Sequence, residues 1–210
     1  MCGSLLGKAM MYAMAVLETN SSMGLIVAAP TAGSAGIVPG LMIAMQEEYG
    51  FTDEQMIRAL YNAGAIGYLA MRNATVAGAV GGCQAEVGVA SAMAASAAAE
   101  LLGASPKSCL DAASTVLMNM LGLVCDPVAG LVEVPCIKRN SCGAVNAVTS
   151  AQLALAGIRS AIAPDDVIDS MRRIGNQLPA CLKETSEGGL AVTESARVYQ
   201  RHSNKRRIEK

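Results

Sequence analysis

The stretch from Gln84 to Leu102 carries alanine at positions 85, 90, 92, 94, 95, 97, 98 and 99, and no other run constrains the fold as much. Alanine is the strongest helix former and adds almost no width, so the run reads as a helix that its neighbours approach closely. The wider sequence agrees. Apolar residues make up 52%, but they are Ala, Val, Leu, Ile and 13 Met, with a single Phe and no Trp. Small side chains of this kind fit poorly with an aromatic-rich β-sandwich, and the alternation that marks half-buried strands is nearly absent. The expected fold is therefore all-α: one compact multi-helix domain over residues 1–200, with Gly/Pro-rich loops carrying the site, then a polar, basic tail over 201–210. A chain of 210 residues is long enough to bury a proper core.

Helical spacing predicts helices over residues 4–18, from Thr52 to about Met71, over 84–102, over 105–121, over 143–156 and from Pro164 onward, and the apolar run 37–46 with Glu47-Glu48 suggests another after the Pro30–Gly36 turn. Thr52-Asp53-Glu54-Gln55 and Pro164-Asp165-Asp166 are acidic or proline-led helix starts. In the first helix, Leu5, Leu6, Ala9, Met10, Ala13 and Leu17 form the stripe expected to be buried.

Between the helices lies Cys125-Asp126-Pro127-Val128-Ala129-Gly130-Leu131-Val132-Glu133-Val134-Pro135-Cys136, followed by Ile137, Lys138, Arg139 and Asn140. Two prolines and a glycine exclude one continuous helix or a central strand, so the two thiols sit on a shaped loop. Cys83 follows Gly81-Gly82 at the start of the alanine-rich helix, where the positive end of the helix dipole favours thiolate. The spacing lacks the tight C-x-x-C pairs of structural zinc. Cys83, Cys125 and Cys136 fit a [4Fe–4S] cluster better, with one iron lacking a cysteine and able to act as a Lewis acid. Zinc or plain core packing is the alternative that spacing leaves open. Cys109 and Cys181, in helical contexts, read as small buried hydrophobes.

A glycine-rich turn, Pro30 to Gly36, offers the hydroxyls of Thr31 and Ser34, while Gly33 and Gly36 permit close backbone approach. It matches neither a Walker loop nor a dinucleotide fingerprint. A carboxylate or phosphate at the following helix start and tight helix packing are its two readings.

A net charge of −1 gives no electrostatic case for nucleic acid. Seven cysteines without an obvious cleavable signal point to metal or catalysis in a reducing cytoplasm rather than to disulfides. Residues 19–46 and 140–158 carry no charge and are long enough to span a bilayer. Pro30, Pro39 and four glycines interrupt the first of these, and no Trp belt is present, so no membrane association is expected.

Four segments resemble one family: Ala28-Ala-Pro-Thr-Ala-Gly-Ser-Ala-Gly-Ile-Val-Pro-Gly40, Gly82-Cys-Gln-Ala-Glu-Val-Gly88, Cys125 through Asn140, and Gly143-Ala-Val-Asn-Ala147. Together they are similar to the α chain of the iron–sulfur-dependent bacterial L-serine dehydratases, in the same order and over roughly residues 5–195. The resemblance implies a helical catalytic domain whose cluster is held by Cys83, Cys125 and Cys136. It also implies PLP-independent deamination of L-serine to pyruvate and ammonia, in which the substrate hydroxyl leaves as the α-proton is abstracted. The turn holding Thr31, Gly33, Ser34 and Gly36 would then bind the substrate carboxylate.

Lys138 is the candidate base or, alternatively, a cation offsetting the cluster; Asn140 would bind substrate or cap the following helix. Asp126 and Glu133 would support these groups. His202, the single histidine, falls in the polar tail. Family members usually carry a Ser-, Gly- and Thr-rich segment ahead of the point where this sequence begins, which implies a shortened N-terminus. A β chain is the expected partner, in a homo- or hetero-oligomer. The terminal cysteine that closes the cluster in some members has no counterpart; Cys142 would be a spare ligand or a packed side chain. Cysteine desulfhydration on the same cluster and a non-catalytic, partner-binding remnant are the alternatives.

Overall fold

The structure, a computed structural model, describes residues 2–208, with side chains to Arg201. The described residues form nine α-helices and no strand: α1 (Ser4–Ser21), α2 (Ile37–Tyr49), α3 (Asp53–Asn73), the single turn α4 (Gly78–Gly81), α5 (Cys83–Leu101), α6 (Pro106–Met120), α7 (Cys136–Leu155), α8 (Pro164–Gln177) and α9 (Glu194–Ile208). His202 lies beyond the described side chains. No described helix is long and apolar enough to cross a membrane.

The alanine-rich helix α5 is the axis of the domain. Sixteen of its nineteen residues are buried, and it packs against α2, α3, α6 and α7. A helix that is apolar on every side can exist only with neighbours on every side, and alanine lets four of them come close. Around it, local signals set the boundaries. Thr52 and Gln55 form a reciprocal capping box at the start of α3. Ser105 caps α6, with Pro106 in its first turn. Gly50, in the left-handed conformation, ends α2. In α1 the buried residues are Ala9, Ala13 and Leu17, with Leu5, Leu6 and Met10 partly covered.

One boundary departs from the sequence expectation and decides the geometry of the site. The helix expected over residues 143–156 begins instead at Cys136, directly after Pro135. Proline cannot sit inside a helix without loss, but it stands readily just before one, so Pro135 marks a start rather than a continuing loop. Lys138, Arg139 and Asn140 are thus helical. Arg139 and Asn140, three and four residues after Cys136, share its face, whereas Lys138 points elsewhere.

The residues between α8 and α9 fold back over the Cys125–Cys136 loop. Cys125 donates its N–H to the Leu182 carbonyl (2.9 Å), and its own carbonyl accepts from the Glu184 N–H (2.8 Å). The Ser186 hydroxyl donates to the Pro127 carbonyl at 2.7 Å. The Leu190 N–H donates to Asp126 Oδ2 at 2.8 Å, and Tyr199 donates to Glu133 Oε2 at 2.7 Å.

Candidate metal centre

Cys83 and Cys136 are the first residues of α5 and α7, and Cys125 lies in the loop between α6 and α7; all three are buried. The start of α5 is fixed by Gln84. Its amide donates to the carbonyls of Gly81 (2.9 Å) and Met171 (3.0 Å), and its oxygen accepts from the Gly122 N–H (2.9 Å). Sequence reading assigned Gln84 no role, yet it ties Cys83 to α4, to α8 and to the turn after α6 at once.

Cys83 Sγ, Cys125 Sγ and a carboxylate oxygen of Glu86 all lie within 4.8 Å of one another. Glu86 is one helical turn after Cys83 and is the single acidic side chain between Gln84 and Ala99, a signal available in the sequence but unused there. Its carboxylate accepts from the Thr31 hydroxyl, which also bonds Ser34 Oγ at 3.0 Å. Glycines clear space for it: a methyl group at Gly33 would sit 2.7 Å from Glu86 Oε1, and one at Gly78 would sit 3.0 Å from Oε2 and 3.1 Å from Cys125 Sγ. Burial lifts the Glu86 carboxyl above the ordinary carboxylate range, against the opposing effect of the Thr31 hydrogen bond.

These groups border a cavity of about 280 Å³ lined by Thr31, Gly33, Gly78, Glu86, Cys125, Cys136 and Glu184, among others. Thr31 and Gly33 line the same cavity as Cys125 and Cys136. Ser34 and Gly36 do not reach the cavity wall. Ser34 is wholly buried, and the Gly36 N–H is taken by Asn140 Oδ1 at 3.1 Å. A methyl group on Gly36 would run into the Ala13 carbonyl of α1, so this glycine serves helix packing, the alternative reading of the turn.

Asn140 is likewise a staple rather than a helix cap. It is wholly buried, and its amide donates to the carbonyls of Gly33 (2.8 Å) and Cys136 (2.9 Å). Both of its amide protons are used inside the protein, so it locks the glycine turn onto α7 at the level of Cys136.

Lys138 is exposed and borders a different cavity, of about 690 Å³, with Glu18, Glu133 and Tyr199. That placement suits neither a base nor a counter-cation at the cysteines. The cation there is Arg139. One of its nitrogens donates to Cys83 Sγ at 3.6 Å and to the Val124 carbonyl at 2.9 Å; another pairs with Asp126 Oδ1 at 2.9 Å. A hydrogen bond from the Cys125 thiol is the main influence lowering the pKa of Cys83, against burial, with Arg139 adding to the effect. The same bond, then burial, pushes the Cys125 thiol far up. Burial first, then the charge on Cys83, pushes Cys136 up to about 12. Of the three thiols, Cys83 is the one whose ionisation these neighbours favour. Cys109 is buried away from the cavity, its thiol 3.9 Å from the Ala104 carbonyl, and Cys142 is exposed on α7.

Against this geometry the comparisons are decisive. The family described as "Serine dehydratase alpha chain" matches residues 1–191. The chain belongs to that family. A probable L-serine dehydratase alpha chain of Bacillus subtilis (strain 168) is 54% identical over 199 residues, covering 95% of this chain and 66% of the relative. The L-serine dehydratase alpha chain of Peptoniphilus asaccharolyticus is 48% identical over 199 residues, 95% of this chain and 68% of that one. L-serine dehydratase 2 of Escherichia coli (strain K12) is 45% identical over 185 residues, 87% of this chain but 40% of its own length. This member of the serine dehydratase alpha chain family therefore spans about two thirds of the first of these relatives and two fifths of the last.

Proposed function

We propose that the chain is the catalytic α part of a PLP-independent L-serine dehydratase, converting L-serine to pyruvate and ammonia with a [4Fe–4S] cluster held by Cys83, Cys125 and Cys136. The observation that carries this reading is the convergence of three cysteines far apart in sequence: Cys125 and Cys136 line one cavity, and Cys83 Sγ lies within 4.8 Å of Cys125 Sγ, with the guanidinium of Arg139 beside it. The donor set suits the group: soft thiolates select iron–sulfur clusters, two of them start helices where the dipole favours their charge, and a fixed cation stands beside one.

When bound, the cluster would supply an iron free of cysteine, a Lewis acid for the hydroxyl that leaves. The remaining work falls to the chain. Arg139, held by the Val124 carbonyl and Asp126, keeps negative charge at Cys83 compensated without entering the cavity. Asn140 fixes the turn that presents Thr31 and Gly33 to the substrate. Glu86 and Glu184 line the cavity, and among the described residues no Lys or Arg does. That potential favours the ammonium end of an α-amino acid over a second carboxylate. A β chain or domain completes the enzyme, in keeping with relatives named as alpha chains and with longer single-chain relatives.

The test is anaerobic reconstitution with iron and sulfide, followed by addition of L-serine and the partner chain. Wild type is expected to develop the broad visible absorbance of thiolate-to-iron charge transfer and to release pyruvate. Cys83→Ser, Cys125→Ser and Cys136→Ser each lose the absorbance; Cys109→Ser keeps it. Loss of the absorbance in Cys109→Ser as well would show the ligand set to be wrong.

A further inference from the structure

Cys83, Cys125 and Glu86 form a tighter group than the three cysteines do. Their ligand atoms are mutually within 4.8 Å, and the Cys136 thiol is outside that set even though it borders the same cavity. Donors about 2.0–2.3 Å from one divalent ion stand roughly 3–4 Å from each other, and thiolate, thiolate and carboxylate are an accepted donor set for zinc and its substitutes. The carboxylate is held for this position. Thr31 binds one of its oxygens, and a methyl group at Gly33 or Gly78 would crowd the carboxylate where it lies, at Gly78 beside Cys125 as well. Gln84 anchors the first turn of α5, which carries both Cys83 and Glu86, and backbone bonds on both sides of Cys125 fix the third donor.

We infer that the cluster-free chain binds a single thiophilic divalent cation, such as zinc, ferrous iron or cobalt, through Cys83, Cys125 and Glu86, with Cys136 not required. Water takes the fourth position, and the cavity gives it room. The consequence is competition. One such ion occupies two of the three thiols a cluster needs, so zinc loaded first would delay cluster assembly. This inference rests on the proposed function only for that consequence; the site itself stands on the geometry of the chain.

Cobalt reports on the site without any enzyme assay. The full chain, stripped of metal under anaerobic conditions with reductant, is titrated with cobalt(II). The expected result is one cobalt per chain, with thiolate-to-cobalt charge transfer in the near ultraviolet and intense tetrahedral bands in the visible, displaced by one equivalent of zinc. Cys136→Ser keeps these bands at unchanged affinity. Cys83→Ser and Cys125→Ser lose them. Glu86→Gln, nearly isosteric and still able to accept from Thr31, weakens cobalt binding at least about tenfold, the scale on which changes around a metal site act. Circular dichroism confirms that each variant is folded. Absence of the bands in wild type, their loss in Cys136→Ser, or unchanged affinity in Glu86→Gln would overturn the inference. A chain that assembles a cluster but gives no cobalt bands would refute the inference and leave the proposed function intact; a chain that binds cobalt and never assembles a cluster would do the reverse.

Discussion

Asn140→Ala is the sharpest test of how the site is held together. Asn140 joins the glycine turn to α7 across 104 residues of sequence with one accepted and one donated hydrogen bond, to the Gly36 N–H and the Gly33 carbonyl. The Cys136 carbonyl, its third partner, keeps the backbone bond of the helix and is not orphaned. Truncation therefore strands the buried Gly36 N–H and the half-buried Gly33 carbonyl, each costing about 1–1.5 kcal/mol, and leaves a small void worth about 1 kcal/mol. The expected loss is about 3–4 kcal/mol, which for a domain of this size lowers Tm by roughly 10 °C. Urea unfolding of the metal-free chain, followed by circular dichroism, measures it as a lower midpoint at unchanged slope. Asn119→Ala is the control, because Asn119 is exposed and bonds only the Asn146 side chain at 3.1 Å; it should stay within about 0.5 kcal/mol of wild type. Since the same turn carries Thr31 to Glu86, Asn140→Ala should also weaken cobalt binding. A loss under about 1 kcal/mol would refute the staple, because buried groups without partners cannot be that inexpensive.

Other substitutions separate structure from chemistry at neighbouring positions. Arg139→Met leaves the Asp126 carboxylate buried without its cation and is expected to cost about 3–5 kcal/mol; adding Asp126→Asn should recover part of that loss, read from unfolding midpoints of the single and double variants. Gly36→Ala presses a methyl group onto the Ala13 carbonyl of α1 and should destabilise by about 1–3 kcal/mol. Gly33→Ala meets only the end of the Glu86 side chain. It should therefore keep stability within about 1 kcal/mol of wild type while lowering cobalt affinity, a split that denaturation and titration measure independently.

The parts of this molecule that were legible in its sequence are those governed by local rules. Alanine density marks α5, capping residues mark α3 and α6, and the three cysteines stand out because shaped, Gly/Pro-rich sequence flanks them. The glycine turn was legible as two alternatives, and the structure divides its glycines between them: Gly33 lines the cavity, while Gly36 packs against α1. What escaped was set by orientation or by distant partners. Reading Lys138 as the cation at the cysteines followed from treating residues 136–140 as loop; once Pro135 starts a helix, a two-residue offset turns Lys138 away and brings Arg139 in. Glu86 drew no separate reading, and nothing local says that Thr31, 55 residues earlier, will bind it. Gln84 and Asn140 owe their importance to partners 87 and 107 residues away, a distance over which periodicity carries no information.

The fold-back of residues 182–199 over the Cys125–Cys136 loop orders events during synthesis. Domains form as the chain emerges, N-terminal parts first, and α5, the loop and α7 all precede the segment that bonds both sides of Cys125. Until residues 182–190 have been made, Cys125 and Asp126 lack the backbone partners that hold them. Until that segment has been made, the loop that carries Cys125 lacks the backbone bonds that set its place beside Cys83 and Glu86.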